Sequence, residues 1–249
     1  MAERPAASFA GGAAGRALRW SACLNVRDVG GLPLLLGGEV RRGALVRADS
    51  LARLTDAGWQ ALLEHGVRTI VELSAPNEPA YVAPDAVQRV STPIFEIDGG
   101  LDALYAACRE AADYYRVWVE HRAEAFGAAV RAVADAGEGA VLVHCQAGRD
   151  RTGVVVALLL GYAGVPDEVV GSDYTASGPP WRAVFDDLIA RADDVAERAR
   201  LVRERECPPS TILSVLAWVR ERHGSVEGYL RSAGVDRARL GRLRERLAG

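Results

Sequence analysis

In VLVHCQAGRDRTGVVVALLL, residues 141–160, Cys145 is followed six positions later by Arg151. The run Val141-Leu142-Val143 suits a central strand, and Thr152 to Leu160 is apolar enough to enter a buried helix. Between them lies a tight strand-to-helix turn. Such a turn aims the backbone N–H groups of Gln146, Ala147, Gly148, Arg149 and the residues up to Gly153, with the positive end of the helix dipole, at one point in space, where an anion binds. The same field favours the thiolate form of Cys145 over the thiol and makes it a nucleophile. The planar fork of Arg151 can fold back over the loop and grip two oxygens of a tetrahedral anion, which a Lys could not do. The hydroxyl of Thr152 is placed to hydrogen-bond the departing sulfur. Gly148 and Gly153 let backbone approach the ligand and the helix pack on the strand, and His144 orients the loop through its ring nitrogens. Nucleophile, spacing and clamp point to a phosphate ester. An isolated cysteine is more often a small buried apolar residue, but such a residue needs no His before it and no Arg-Thr-Gly six to eight positions after it.

The elements around this stretch must hold it. Leu32 to Leu36, Gly37-Gly38 and Glu39 to Val46 read as a β-hairpin on a Gly-Gly turn. Thr55-Asp56 caps a helix carrying Trp59, Leu62 and Leu63, Gly66 stops it, and Val67 to Leu73 follows as a buried strand. Residues 87–95 read as another strand, 101–136 as a long helical stretch broken near Gly127, and 139–144 as the strand leading into the loop. Strands alternating with helices predict an α/β fold with a central, mostly parallel sheet flanked by helices. Beyond residue 165 no strand pattern appears. Pro166 starts a helix, Gly178-Pro179-Pro180 interrupts the chain, 181–205 is a charged helix, and Ile212 to His223 with two short helices, about 225–233 and 236–247, completes a helical C-terminal part at 166–249.

At 249 residues the chain has room for one sizeable core. Residues 1–20 read as a loose arm without the n-region or apolar core of a secretory signal, and 21–249 as a single domain. No run approaches the length of a membrane span. Cys23, Cys108, Cys145 and Cys207 lie far apart without a CxxC pair, which argues against a zinc site and a disulfide framework and for a reducing compartment. A cytoplasmic location follows, with export by a route lacking a signal left open. A net charge of −3 gives no reason to expect nucleic acid as a partner. The basic residues are all Arg, in a chain also rich in Ala and Gly, a coding bias from which no function is drawn.

HCQAGRDRTG resembles the HCxxGKDRTG signature of the atypical bacterial protein tyrosine phosphatases, within the HCx5R cysteine-phosphatase superfamily. Asn25-Val26-Arg27-Asp28-Val29-Gly30-Gly31 resembles that family's NxRDxGG element, and Gly43 to Thr55, with Arg47, its next block; Asn25, Arg27, Asp28 and Arg47 are supporting residues on that ground. The resemblance covers most of residues 24–175. It departs at Arg149, a Lys in the family, at Glu72-Leu73-Ser74 in place of Asp-Leu-Arg, and at Val46-Arg47-Ala48 in place of Tyr-Arg-Ser. It implies a tyrosine-phosphatase-like fold and Asp150, within the loop, as the acid for the leaving group. Asp98 and Asp102, in the loop IDGGLD, are rivals for that role, although Asp beside Gly more often forms turns and caps helices; Asp28 is a weaker rival. In the family, helices after the signature can cover the site, so 174–207 is a possible lid, against the plainer reading of 181–205 as a solvated surface helix.

The expected activity is metal-independent hydrolysis of phosphomonoesters through a phosphocysteine, without a cofactor. Protein phosphotyrosine is the first substrate expectation. A phosphoinositide is the second, because Arg149 adds a basic group to the outer side of the loop. The competing readings are a non-catalytic phospho-binding module, against which intact Cys145, Asp150 and Arg151 weigh, and a rhodanese-type sulfur transferase, which would not need the Arg-Thr-Gly ending.

Overall fold

Along the strand Ala140–His144 successive side chains alternate between two cores: Val141 and Val143 join one, Ala140 and Leu142 the other. That strand, buried at every position, is the centre of the architecture. The computed structural model describes residues 15–94 and 100–248. Five strands, β1 (Arg27–Asp28), β2 (Leu45–Ala48), β3 (Val67–Glu72), β4 (Gln88–Ser91) and β5 (Ala140–His144), form one sheet in the order β1-β2-β5-β3-β4. β1 is antiparallel to β2, and the remaining pairs are parallel. This is the expected mostly parallel sheet.

Helix α1 (Asp56–Glu64) covers one face with Leu62. Thr55 accepts from the Gly58 amide as its cap, and Gly66, at φ 88°, turns the chain into β3. The other face carries α3 (Ala111–His121) and α4 (Ala123–Asp135), which follow the short α2 (Asp102–Ala107). The layer closes around α5 (Asp150–Ala163), which is buried on nearly every side from Arg151 to Leu160. The C-terminal part is α6 (Asp167–Thr175), α7 (Arg182–Arg191), α8 (Val195–Arg205), α9 (Pro209–His223), α10 (Val226–Ser232) and α11 (Arg237–Ala248). Among the described residues no strand follows β5. No helix among them is long and apolar enough to cross a membrane.

Several expectations change in detail. The hairpin reduces to an isolated Pro33–Glu39 bridge, with the Val40 amide donating to the Leu32 carbonyl and the Gly31 amide to the Val40 carbonyl, around Gly37 and Gly38. Leu35 and Leu36 are exposed, and Leu45-Val46 belongs instead to β2, beside the central strand. The stretch 101–136 breaks at Cys108–Glu110 and at Arg122, not at Gly127. Gly127 sits inside α4, where a Cβ would lie 1.8 Å from the Ala233 carbonyl oxygen, so it is there for close approach rather than for a break. Likewise 181–205 is two helices, interrupted at Ala192–Asp194. Of the expected arm, residues 1–14 lie outside the described residues. Its last residues are held: Ala17 bridges to Arg27, Arg16 is buried against Asp173, and Trp20 is buried in the smaller core.

Candidate active site

β5 ends at His144, and its parallel neighbours β2 and β3 end beside it, so the loop 145–149 opens at the carboxyl edge of the sheet, where α/β proteins bind ligands. The loop's shape follows from what holds its carbonyl oxygens. The Ser50 amide donates to the Gln146 carbonyl at 3.0 Å. The Asn25 side-chain amide donates to the carbonyls of Ala147 (3.0 Å) and Gly148 (3.2 Å), Arg47 Nη2 donates to that of Gly148 (2.8 Å), and Trp181 Nε1 to that of Ala147 (2.9 Å). Because each peptide is planar, carbonyls tied outward turn the amides inward. The N–H groups of residues 146–150 meet no acceptor among the described residues. Gly148 has φ 63°, and a Cβ there would lie 2.3 Å from the Ala48 carbonyl oxygen, so only glycine lets the loop pass β2.

Cys145 lies at the bottom of this cradle, 1% exposed, deeper than a residue at the mouth of the loop. Thr152 Oγ1 is buried and has no hydrogen-bond partner among the described residues. Arg151 is nearly buried and held by Glu78, with Nη1 on Oε1 at 2.5 Å and Nη2 on Oε2 at 3.1 Å. Gly153, in the first turn of α5, lets the Tyr174 ring come within 3.0 Å of where a Cβ would stand.

His144 is fully buried. Its Nε2 is 2.7 Å from the Tyr81 hydroxyl and its Nδ1 is 3.2 Å from the Cys145 carbonyl oxygen. Burial, with the charges of Arg89 and Arg151 added, pushes its pKa down to about 4. A neutral ring then donates from Nδ1 to the carbonyl and accepts the phenol proton at Nε2. The unfolded chain takes up this proton near pH 6.5 and the folded one only near pH 4, so stability falls as pH drops through that window. The loss reaches about 3 kcal/mol at the acid end. Denaturant midpoints between pH 7 and pH 4 should fall more steeply for the wild type than for His144→Gln; equal slopes would refute the assignment.

Arg149 is buried, whereas the Asp150 side chain beside it stays partly exposed. Arg149 Nε donates to Asp150 Oδ1 at 3.2 Å and Nη1 to the Glu204 carbonyl at 2.5 Å, and its guanidinium lies 5.2 Å from the centre of the Phe185 ring. It therefore ties α7 and α8 to the loop, where the sequence suggested an outward basic group. The Tyr115 hydroxyl donates to Asp150 Oδ1, and the Tyr115 and Tyr174 hydroxyls are 2.9 Å apart.

The supporting residues divide. Asn25 and Arg47 hold the loop. Arg27 acts behind them, with Nη1 donating to Asn25 Oδ1 at 2.8 Å. Arg16, Arg27 and Arg47 converge on Asp173, at 2.8, 3.1 and 2.7 Å. Burial opposes the charge of Asp173, but these guanidiniums prevail and hold its carboxyl well below the usual carboxylate range. Asp28 is no rival acid: its carboxylate accepts the Gly30 and Gly43 amides at 2.7 and 2.8 Å and lies 3.3 Å from His65 Nε2, so it braces the chain before β2. Asp102 is exposed in the first turn of α2, without a contact to the loop. Asp98 lies outside the described residues. Among the described residues no three His, Cys, Asp or Glu side chains gather to hold a metal ion. A cavity of about 620 Å³ lies at the opposite edge of the sheet. Its Arg41 and Arg246 are spent on the carbonyls of Glu245, Arg246, Ala136, Gly137 and Gly139.

Glu78, Tyr81, Tyr115, Asp173, Tyr174 and Trp181 are the residues that the sequence reading missed. Each acts on the loop or its flanks from a distant segment, Asp173 through Arg47, and only the acidic Glu78 amid the prolines of APNEPAYVAP is locally unusual. A model of the tyrosine phosphatase family matches residues 18–249. The chain is 32% identical over 221 residues to a tyrosine-protein phosphatase of Nostoc commune, covering 82% of this chain and 74% of that one. It is 30% identical over 271 residues to the triple specificity protein phosphatase PtpB of Mycobacterium tuberculosis, covering 90% of this chain and 96% of that one.

Proposed function

Because the chain belongs to the tyrosine phosphatase family, we propose that it hydrolyses phosphotyrosine in proteins through a phosphocysteine formed on Cys145. The observation that carries this reading is the cradle itself: carbonyls tied outward, amides turned inward, a cysteine at the base and Arg151 beside it. The phosphoryl oxygens take the amides of residues 146–150 and the Arg151 guanidinium, which Glu78 holds in orientation. Such fixed donors stabilise the charge that develops in the transition state without reorganisation. Thr152 Oγ1, lacking another partner, donates to the sulfur when it leaves as thiolate. Water then hydrolyses the phosphocysteine. The mechanism needs no metal or cofactor. The single catalytic domain spans 21–249, with 174–207 as a lid, a reading supported by the Trp181 and Arg149 contacts that join this segment to the loop. The free cysteines suit a cytoplasmic enzyme.

Asp150 is the acid in this reading, supported by its side chain's place beside the loop at 29% exposure. General acid catalysis contributes roughly 10²–10⁴-fold, and mostly for poor leaving groups. Asp150→Asn should therefore slow phenyl phosphate far more than an activated aryl phosphate. If Asp98→Asn or Asp102→Asn shows that dependence and Asp150→Asn does not, the acid comes from IDGGLD. Assay of phosphotyrosine, phosphoserine and phosphoinositides side by side tests the substrate. Phosphoinositide turnover exceeding that of phosphotyrosine would favour the second substrate, for which the engaged position of Arg149 gives little support.

A further inference from the structure

The phenols of Tyr115 and Tyr174 stand beside the proposed acid, buried between α3 and α6. Tyr115 comes from α3 and is 1% exposed; Tyr174 comes from α6 and is 3% exposed. A phenol carries one proton. The Tyr115 proton goes to Asp150 Oδ1, so at the 2.9 Å contact between the two hydroxyls Tyr174 is the donor. The chain thus runs one way, from Tyr174 through Tyr115 to the carboxylate, and each bond polarises the next. Arg149 Nε reaches the same oxygen. Asp150 Oδ2 accepts no hydrogen bond among the described residues. Two donors on one oxygen and none on the other is an asymmetric setting for a carboxyl group.

We propose that Tyr115 and Tyr174 are positioning residues for the acid: they pin Asp150 Oδ1 and so leave Oδ2 to carry the proton and deliver it to the leaving group. The proposal rests on the reading of Asp150 as the acid. In the first step Cys145 Sγ forms its bond to phosphorus while the ester P–O bond breaks. The electron pair leaves with the alcohol oxygen, which takes the proton from Oδ2, and Asp150 becomes a carboxylate. In the second step water gives a proton to Oδ2 as its oxygen bonds to phosphorus, and the sulfur leaves as thiolate. Throughout, Oδ1 stays on the Tyr115 hydroxyl. Burial, with the Asp150 charge beside Tyr115 and Cys207 and Asp150 beside Tyr174, keeps both phenols protonated well above their ordinary range, so the chain persists at any working pH. Gly153 fits the same account, since it makes the room in which the Tyr174 ring stands.

The charged and titratable groups around Asp150 are Arg149 and Arg151 on the loop and α5, Tyr115 on α3, Tyr174 on α6 and Cys207 ahead of α9. Of these, the phenols are the hydrogen-bond donors to Asp150 that can be removed without touching a charge or the loop. Tyr115→Phe keeps the ring and deletes the donor. It should lower kcat for phenyl phosphate roughly 10–100-fold while leaving an activated aryl phosphate within about twofold. It should also move the basic limb of the pH profile upward, because a carboxylate that loses a donor keeps its proton to higher pH. Tyr174→Phe should act in the same direction and more weakly. Vanadate affinity should not change in either variant. In an Asp150→Asn background Tyr115→Phe should add nothing, as expected for residues acting as a unit. Equal loss on both substrates, or an unmoved basic limb, overturns the positioning role; if Tyr115→Phe does not fold, Tyr174→Phe decides by the same two readings. If Asp150→Asn itself shows no dependence on the leaving group, the acid assignment falls and the proposal with it. If it shows the dependence and neither phenol variant does, the proposal alone falls.

Discussion

Replacing Cys145 with Ser should lower phosphotyrosine turnover by at least about 10⁴-fold and leave the protein able to bind vanadate or phosphate. The two halves of this result have separate causes. Turnover needs a sulfur nucleophile that can form the phosphocysteine and leave again, and a serine hydroxyl at the same place is a far poorer nucleophile and leaving group. Binding needs the inward amides and Arg151, and neither depends on the sulfur. The amides are oriented by Asn25, Arg47, Ser50 and Trp181 acting on the carbonyls, and Arg151 is oriented by Glu78. Calorimetric titration with vanadate measures the second half on the same sample that shows the loss of turnover. A variant that lost both would mean that the cysteine supports the loop's shape rather than the reaction.

The second large effect is on stability. Asp173→Asn removes the only carboxylate recorded against three buried guanidiniums, those of Arg16, Arg27 and Arg47, in the described residues. Leaving a buried charge without its partner costs about 3–5 kcal/mol, a large part of the stability of an ordinary domain. The denaturant midpoint should fall accordingly. Because Arg47 also holds the Gly148 carbonyl and Arg27 holds Asn25, oxyanion affinity should weaken as well, in whatever fraction of the protein remains folded. Asp173→Glu, which keeps the charge, should recover part of both losses. A midpoint within about 0.5 kcal/mol of wild type, the range of ordinary surface substitutions, would show that the arginines find other partners.

What could be read in the chain beforehand follows from locality. The loop was legible because strand, turn and helix are adjacent in sequence, and because few other demands put Cys, Gly, Arg and Thr at those spacings. The sheet was legible because β5 is apolar on both faces, as the centre of a parallel sheet must be. Helix breaks were less so. The period of 101–136 is helical throughout, yet α3 starts afresh at a capping box between Glu110 and Asp113, whereas Gly127, the residue that looks like a breaker, is needed for contact with Ala233. Least legible were the residues that act on the loop from afar. Asp173 lies in a segment, GSDYTASG, that reads as an ordinary polar helix end, and only folding shows that three arginines from residues 16–47 meet there. Tyr115 and Tyr174 read as core aromatics, and their hydroxyls gain meaning only when α3 and α6 bring them to Asp150. Pairings of this kind leave no local trace.

The central claim is the covalent step on Cys145. Rapid mixing of the wild-type protein with an activated aryl phosphate, followed by acid quench and peptide mass analysis, tests it directly. A burst of phenol release stoichiometric with enzyme is expected, with a phosphoryl group on the peptide carrying Cys145 that forms and is lost at rates matching turnover. Steady turnover without a burst, with a phosphoryl group on another side chain or on none, would contradict it.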